Sequence, residues 1–103
     1  MKTLILIMVL ATACHHTVQA SVPRLSDGTV VDGIQVRGNQ AIATPAIVAR
    51  IQTKPGDRIN TAAIKRDIAN VRSLGFEDVR VEEGEGTGGG KIITFDVRER
   101  PPQ

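Results

Sequence analysis

The sequence predicts an α+β domain of order β-α-α-β-β, two antiparallel helices packed on one face of a three-stranded mixed sheet. Two observations carry that prediction. Residues 30–37, 76–83 and 91–98 alternate apolar and polar side chains, the two-residue period of a half-buried strand. Residues 60–74 place Ile64, Ile68 and Val71 at i, i+4 and i+7, the period of an amphipathic helix. Each element therefore owns a single apolar face, and the economical way to bury them all is two layers around one core.

The first strand pairs Ile34 and Val36 inward against Gln35 and Arg37 outward, with Gly33 marking a weak point or bulge. Gly38-Asn39 ends it, since both residues tolerate positive φ. Thr44-Pro45 opens the first helix: Thr44 is expected to cap it, and Pro45 suits a first-turn position where no N–H is needed. Ile47, Val48 and Ile51 are placed on its buried face. Lys54-Pro55-Gly56-Asp57 stops it.

Asn60 caps the second helix, which the spacing carries to about Leu74, with Gly75 beyond its end in a left-handed conformation. The second strand sets Val79 and Val81 against Arg80 and Glu82, and the third sets Ile93, Phe95 and Val97 against Ile92, Thr94 and Asp96. The Gly-rich run 84–90 reads as a flexible hairpin loop, with a solvated acidic cluster before it. The expected core is Ile34, Val36, Ile47, Ile51, Ile64, Ile68, Val71, Leu74, Phe76, Val79, Val81, Ile93, Phe95 and Val97. At roughly 1.5–3 kcal/mol for each fully buried side chain, this set suits a domain near the lower size limit for independent folding.

The chain has 103 residues, a net charge of +2, two Phe, no Tyr or Trp, and one Cys. A single Cys excludes an internal disulfide framework. Two aromatics and a near-balanced charge argue against nucleic acid as partner, which calls for stacking platforms and a basic groove. Lys2 followed by the uncharged apolar run 3–13 fits a secretory leader and is too short to span a bilayer. Val18-Gln19-Ala20 offers small residues at −3 and −1, making 1–20 a signal peptide. Leu10-Ala11-Thr12-Ala13-Cys14 offers the alternative of a 1–13 lipoprotein signal with lipid on Cys14. Residues 21–29 then form a flexible lead, 30–101 the domain and 102–103 a tail. No transmembrane segment is expected in the mature chain.

No chemistry-bearing motif survives its structural requirement. Gly84-x-Gly86-x-x-Gly89 spells a dinucleotide fingerprint, yet that mechanism needs the glycines to open a helix, and here they open a strand. His15-His16 lacks further ligands for a metal. Glu77, Asp78, Glu82, Glu83 and Glu85 lack the fixed separation and pocket of paired catalytic acids. No nucleophile–base pair stands out, so no enzyme activity, cofactor or metal is expected.

Ile34-Gln35-Val36-Arg37-Gly38-Asn39 resembles the first strand and turn of a POTRA (polypeptide-transport-associated) domain. Its further motifs follow in family order: Thr44-Pro45, Lys54-Pro55-Gly56-Asp57, Asp67-Ile68, the run from Leu74-Gly75-Phe76 to Val81, and the run from Ile93 to Glu99-Arg100-Pro101. The resemblance implies a periplasmic protein-binding module of outer-membrane protein assembly or secretion. Its partner would be an outer-membrane protein substrate or an assembly-complex subunit. It also implies that extended polypeptide adds to the edge of the second strand, at Asp78, Val79, Arg80, Val81 and Glu82, with Arg80 and Glu82 facing outward. Two alternatives stay open: a lipoprotein or scaffold subunit anchored through Cys14, and a truncated remnant of a barrel-bearing protein, since no barrel follows the motif in this sequence.

Overall fold

The computed structural model describes residues 25–101; the leader, Cys14 and the 102–103 tail lie outside the described residues. The elements run β1 (Val31–Arg37), α1 (Thr44–Val48), α2 (Thr61–Arg72), β2 (Asp78–Glu85) and β3 (Lys91–Arg98). The sheet order is β1-β3-β2, with β1 parallel and β2 antiparallel to the central β3. The mixed three-stranded sheet with two helices is the expected fold class; the parallel pairing of β1 with β3 is seen only in the structure.

Alternation along the strands sets the core. Val79, Val81, Ile93, Phe95 and Val97 are buried, and they meet Ile47 of α1 and Ile64 and Val71 of α2. Ile51, Phe76, Val31 and Ile59 complete the cluster. Val31 and Ile59 are additions to the expected set. Val31 sits where β1 enters the sheet, and Ile59 follows a turn, so neither shows its burial through local periodicity. Ile34, Val36, Ile68 and Leu74 pack against the cluster only in part.

Several boundaries differ from expectation. The first helix spans five residues rather than reaching Lys54. Thr44 does not cap it. Ala43 holds the N-cap position without a side-chain bond, and the Thr44 hydroxyl oxygen accepts from Asn39 Nδ2 at 3.1 Å instead. Val48, expected on the inner face, is 37% exposed, because the chain leaves the helix before Ile51 packs. The second strand starts and ends two residues later than expected, since Phe76 serves as a buried plug ahead of the ladder and the ladder runs on into the glycines. By contrast, Asn60 caps α2 as expected, its Oδ1 accepting from the Ala63 N–H at 3.0 Å. Gly75 takes the left-handed conformation (φ 105°). The β1–β3 register slips between Val31 and Gly33, the irregularity that Gly33 signals.

The Gly-rich connection is not a loose loop. The Asp32 carboxylate accepts from the Gly88 N–H at 2.9 Å and the Gly90 N–H at 3.1 Å. A Cβ at Gly90 would collide with the Val30 carbonyl oxygen and Asp32, and one at Gly86 with Asp32. These glycines are there to let the backbone close on a carboxylate. The described part of the lead is likewise fastened, where composition alone pointed to a flexible segment. Leu25 packs on the core, and Ser26 donates to Glu83 from both its N–H and its hydroxyl at 2.8 Å.

Candidate functional site

β2 and β1 are the two edges of the sheet, and they differ. The start of β1 is covered: Ile59 N–H donates to the Thr29 carbonyl, Val31 N–H to Asp57, and Gly56 N–H to Val31, each at 2.8 Å. Among the described residues no hydrogen bond reaches the outer main chain of β2. Antiparallel pairs alternate between bonded and unbonded. Gly86 N–H donates to the Gly90 carbonyl at 3.0 Å, and the register pairs Gly84 with Ile92, Glu82 with Thr94 and Arg80 with Asp96. The even-numbered residues of β2 therefore bond to β3, and the N–H and C=O groups of Val79, Val81 and Glu83 point away from the sheet.

Side chains on the same strand divide the other way. Val79 and Val81 are buried in the core, while Arg80 and Glu82 stand on the helix-free face of the sheet. That face is laced with charge. Arg37 reaches from β1 across β3, donating to Glu82 Oε1 at 2.6 Å and to Asp96 Oδ2 at 3.4 Å. The two carboxylates, Glu82 first, hold the Arg37 pKa above its ordinary value. Arg80 donates to Asp78 at 3.0 Å, and Lys91 to Glu85 at 2.7 Å. The Glu85 hydrogen bond raises the Lys91 pKa against the opposing effect of burial. These pairs are exposed and contribute little stability each. Their effect on the edge is to place charge beside open main chain, which limits indiscriminate pairing.

Three carboxylates position the elements around this edge. Asp67, fully buried on α2, accepts from Gln52 N–H (2.9 Å), Thr53 N–H (3.1 Å) and the Thr53 hydroxyl (2.6 Å). It fixes α2 against the 51–53 segment and so sets how the helix lies over β2. Asp32 holds the hairpin that brings β2 to β3. Glu99, just past β3, accepts from the N–H groups of Gln40, Ala41 and Ile42 through one oxygen. Those backbone bonds, Gln40 foremost, lower the Glu99 pKa. Sequence reading assigned none of these roles. Asp67 did carry a signal: an acid at i+3 from Ile64 and i−4 from Val71 lies on the apolar stripe, where a charge needs partners.

The five expected edge residues, Asp78, Val79, Arg80, Val81 and Glu82, thus lie together on one edge strand. Among the described residues no group of His, Cys, Asp and Glu is arranged to hold a metal, and no helix is long and apolar enough to cross a membrane. The described residues form an α+β domain with an open, charge-flanked strand edge. The chain belongs to the POTRA family, described as surface antigen variable number repeat, which matches residues 29–100.

Relatives agree with that assignment. The chain is 31% identical over 77 residues to the outer membrane protein assembly factor BamA of Nitratidesulfovibrio vulgaris strain Hildenborough, covering 74% of this chain and 10% of that protein. The N-terminal domain of Omp85 from Thermosynechococcus elongatus superposes with a TM-score of 0.64 at 25% identity, over 74% of this chain and 32% of that one. The first two POTRA domains of the periplasmic part of Omp85 from Anabaena share the fold, with a TM-score of 0.58 at 24% identity, over 74% and 49% of the respective chains. The chain thus spans a minor part of each of these relatives.

Proposed function

We propose that this domain is a non-enzymatic, periplasmic protein-binding module of outer-membrane protein assembly or secretion, which takes up extended polypeptide by strand addition at the β2 edge. One observation carries the reading: the main-chain groups of Val79, Val81 and Glu83 face outward with no partner among the described residues. A strand added there gains main-chain hydrogen bonds whatever its sequence, and alternate side chains supply selectivity. Such tolerance suits a module that handles many unfolded strands. The relatives' names, an outer-membrane assembly factor and Omp85 periplasmic domains, support the setting.

The test is an NMR titration of the purified protein with peptides copied from outer-membrane β-strands. The amides of Val79, Val81 and Glu83 are expected to shift and to gain protection from exchange. A response confined to another surface would overturn the strand-addition reading. The leader gives a separate test of anchoring. Mass spectrometry of the exported protein is expected to find Ser21 at the N-terminus, whereas a diacylglyceryl group on Cys14 would make it a membrane-anchored subunit.

A further inference from the structure

Beside the β2 edge, α2 presents a flank with two cations. Asp27 accepts from the Thr61 N–H at 3.1 Å, and Ser26 bonds Glu83, so the start of α2 lies near the end of β2. At the other end a short connection joins Arg72 to Asp78. The helix therefore runs antiparallel along the strand. Asp67 turns one side of α2 toward Gln52 and Thr53. Ile68 is one residue on, about 100° round the helix. It leads the flank turned away from Gln52 and Thr53; the segment that follows those residues is bonded to the start of β1, the sheet edge farthest from β2, so this flank lies on the outer side of β2.

Lys65 and Arg72 lie at i−3 and i+4 from Ile68, the spacing of surface neighbours on a helix. Both are exposed, and neither forms a salt bridge or side-chain hydrogen bond among the described residues. Ile68 is half-buried between them. A strand added to β2 would turn every second side chain toward this flank.

We infer that Lys65, Ile68 and Arg72 select among strands docking at β2, favouring an extended segment with an acidic residue, an apolar residue and a second acidic residue at alternate positions. The inference rests on the strand-addition reading. The dimensions agree: seven helical residues separate the two cations by about 10 Å, and the first and fifth residues of a strand lie about 13 Å apart. Long flexible cationic side chains close that gap. The middle, apolar residue then falls over Ile68. The cations act at the rim of the contact, so they tune preference and salt dependence, while the main-chain bonds supply the affinity common to all strands.

The experiment compares three nine-residue peptides of one alternating host sequence, binding to the purified protein. The first carries glutamate at its third and seventh positions and valine at its fifth. The other two carry glutamine or lysine in place of the glutamates. The acidic peptide is expected to bind about fivefold tighter than the glutamine peptide at low salt, from two partly exposed ion pairs. The lysine peptide is expected to bind more weakly than both. The preference is expected to shrink at high salt and to vanish in the Lys65→Gln/Arg72→Gln variant, which still binds the glutamine peptide. If all three peptides bind equally while the Val79, Val81 and Glu83 amides shift, the acidic preference is wrong and strand addition stands. If those amides do not respond to any peptide, strand addition fails and the selectivity fails with it. A preference that survives the double variant would also overturn the assignment to these residues.

Discussion

Removing the Asp67 carboxylate is expected to be among the most destabilising single changes outside the apolar core. The side chain is fully buried, and it satisfies two main-chain N–H groups and one hydroxyl from the 52–53 segment. In Asp67→Ala the Thr53 N–H and hydroxyl lose their partner in a buried setting, at roughly 1–3 kcal/mol for an orphaned donor. Gln52 is exposed, so water recovers much of its share. The sum is about 3 kcal/mol. For a domain of this size each kcal/mol moves Tm by about 4–8 °C, so a fall of about 12–24 °C is expected. Thr53→Val removes only the hydroxyl bond and is expected to cost about 1 kcal/mol. The assay is urea denaturation of the two single variants and the double variant. The two changes are expected to be less than additive, because they share one carboxylate. An Asp67→Ala loss below about 1 kcal/mol with an unchanged m-value would refute the reasoning, since water would then be replacing the carboxylate at little cost.

The hairpin gives a paired prediction. Gly90→Ala drives a Cβ into the Val30 carbonyl and Asp32 and is expected to cost about 1–3 kcal/mol, while Gly88→Ala meets Asp32 no nearer than 3.5 Å and is expected to be tolerated, as thermal melts of the two variants will show. Asn60→Ala removes the α2 cap and is expected to cost about 1 kcal/mol in denaturant unfolding, whereas Thr44→Ala removes no cap bond and is expected to change stability far less. The folded-state pKa of Glu99 lies below its unfolded value, so the unfolded chain binds more protons and stability rises with pH through that interval. The Glu99 contribution is therefore present above the unfolded pKa and lost as pH falls through the folded one. Urea midpoints of the wild type and Glu99→Gln are expected to differ at neutral pH and to converge in acid; a pH-independent difference would deny the charge its role.

Legibility in the sequence follows how local each cause is. The β3 limits, the Asn60 cap and the left-handed Gly75 rest on periodicity or on one residue's backbone preference, and all were legible. The short α1 was not, because Ile51 is buried just as Ile47 is, and both fit a helical spacing although the helix ends between them. The edge-strand residues followed from alternation and family motifs. The outward direction of the Val79, Val81 and Glu83 main chain needed the pairing register with β3.

The sequence by itself determined the α+β class, the inward faces of β2 and β3 and the family, because these depend on patterns within a dozen residues and on motif order. Only the tertiary structure decided which carboxylates hold it together. Asp32 meets Gly88 and Gly90, and Glu99 meets the 40–42 turn, across separations of 56 to 59 residues. An exposed acid and a backbone-gripping acid look alike in a sequence; the difference lies in which N–H groups the fold brings to them.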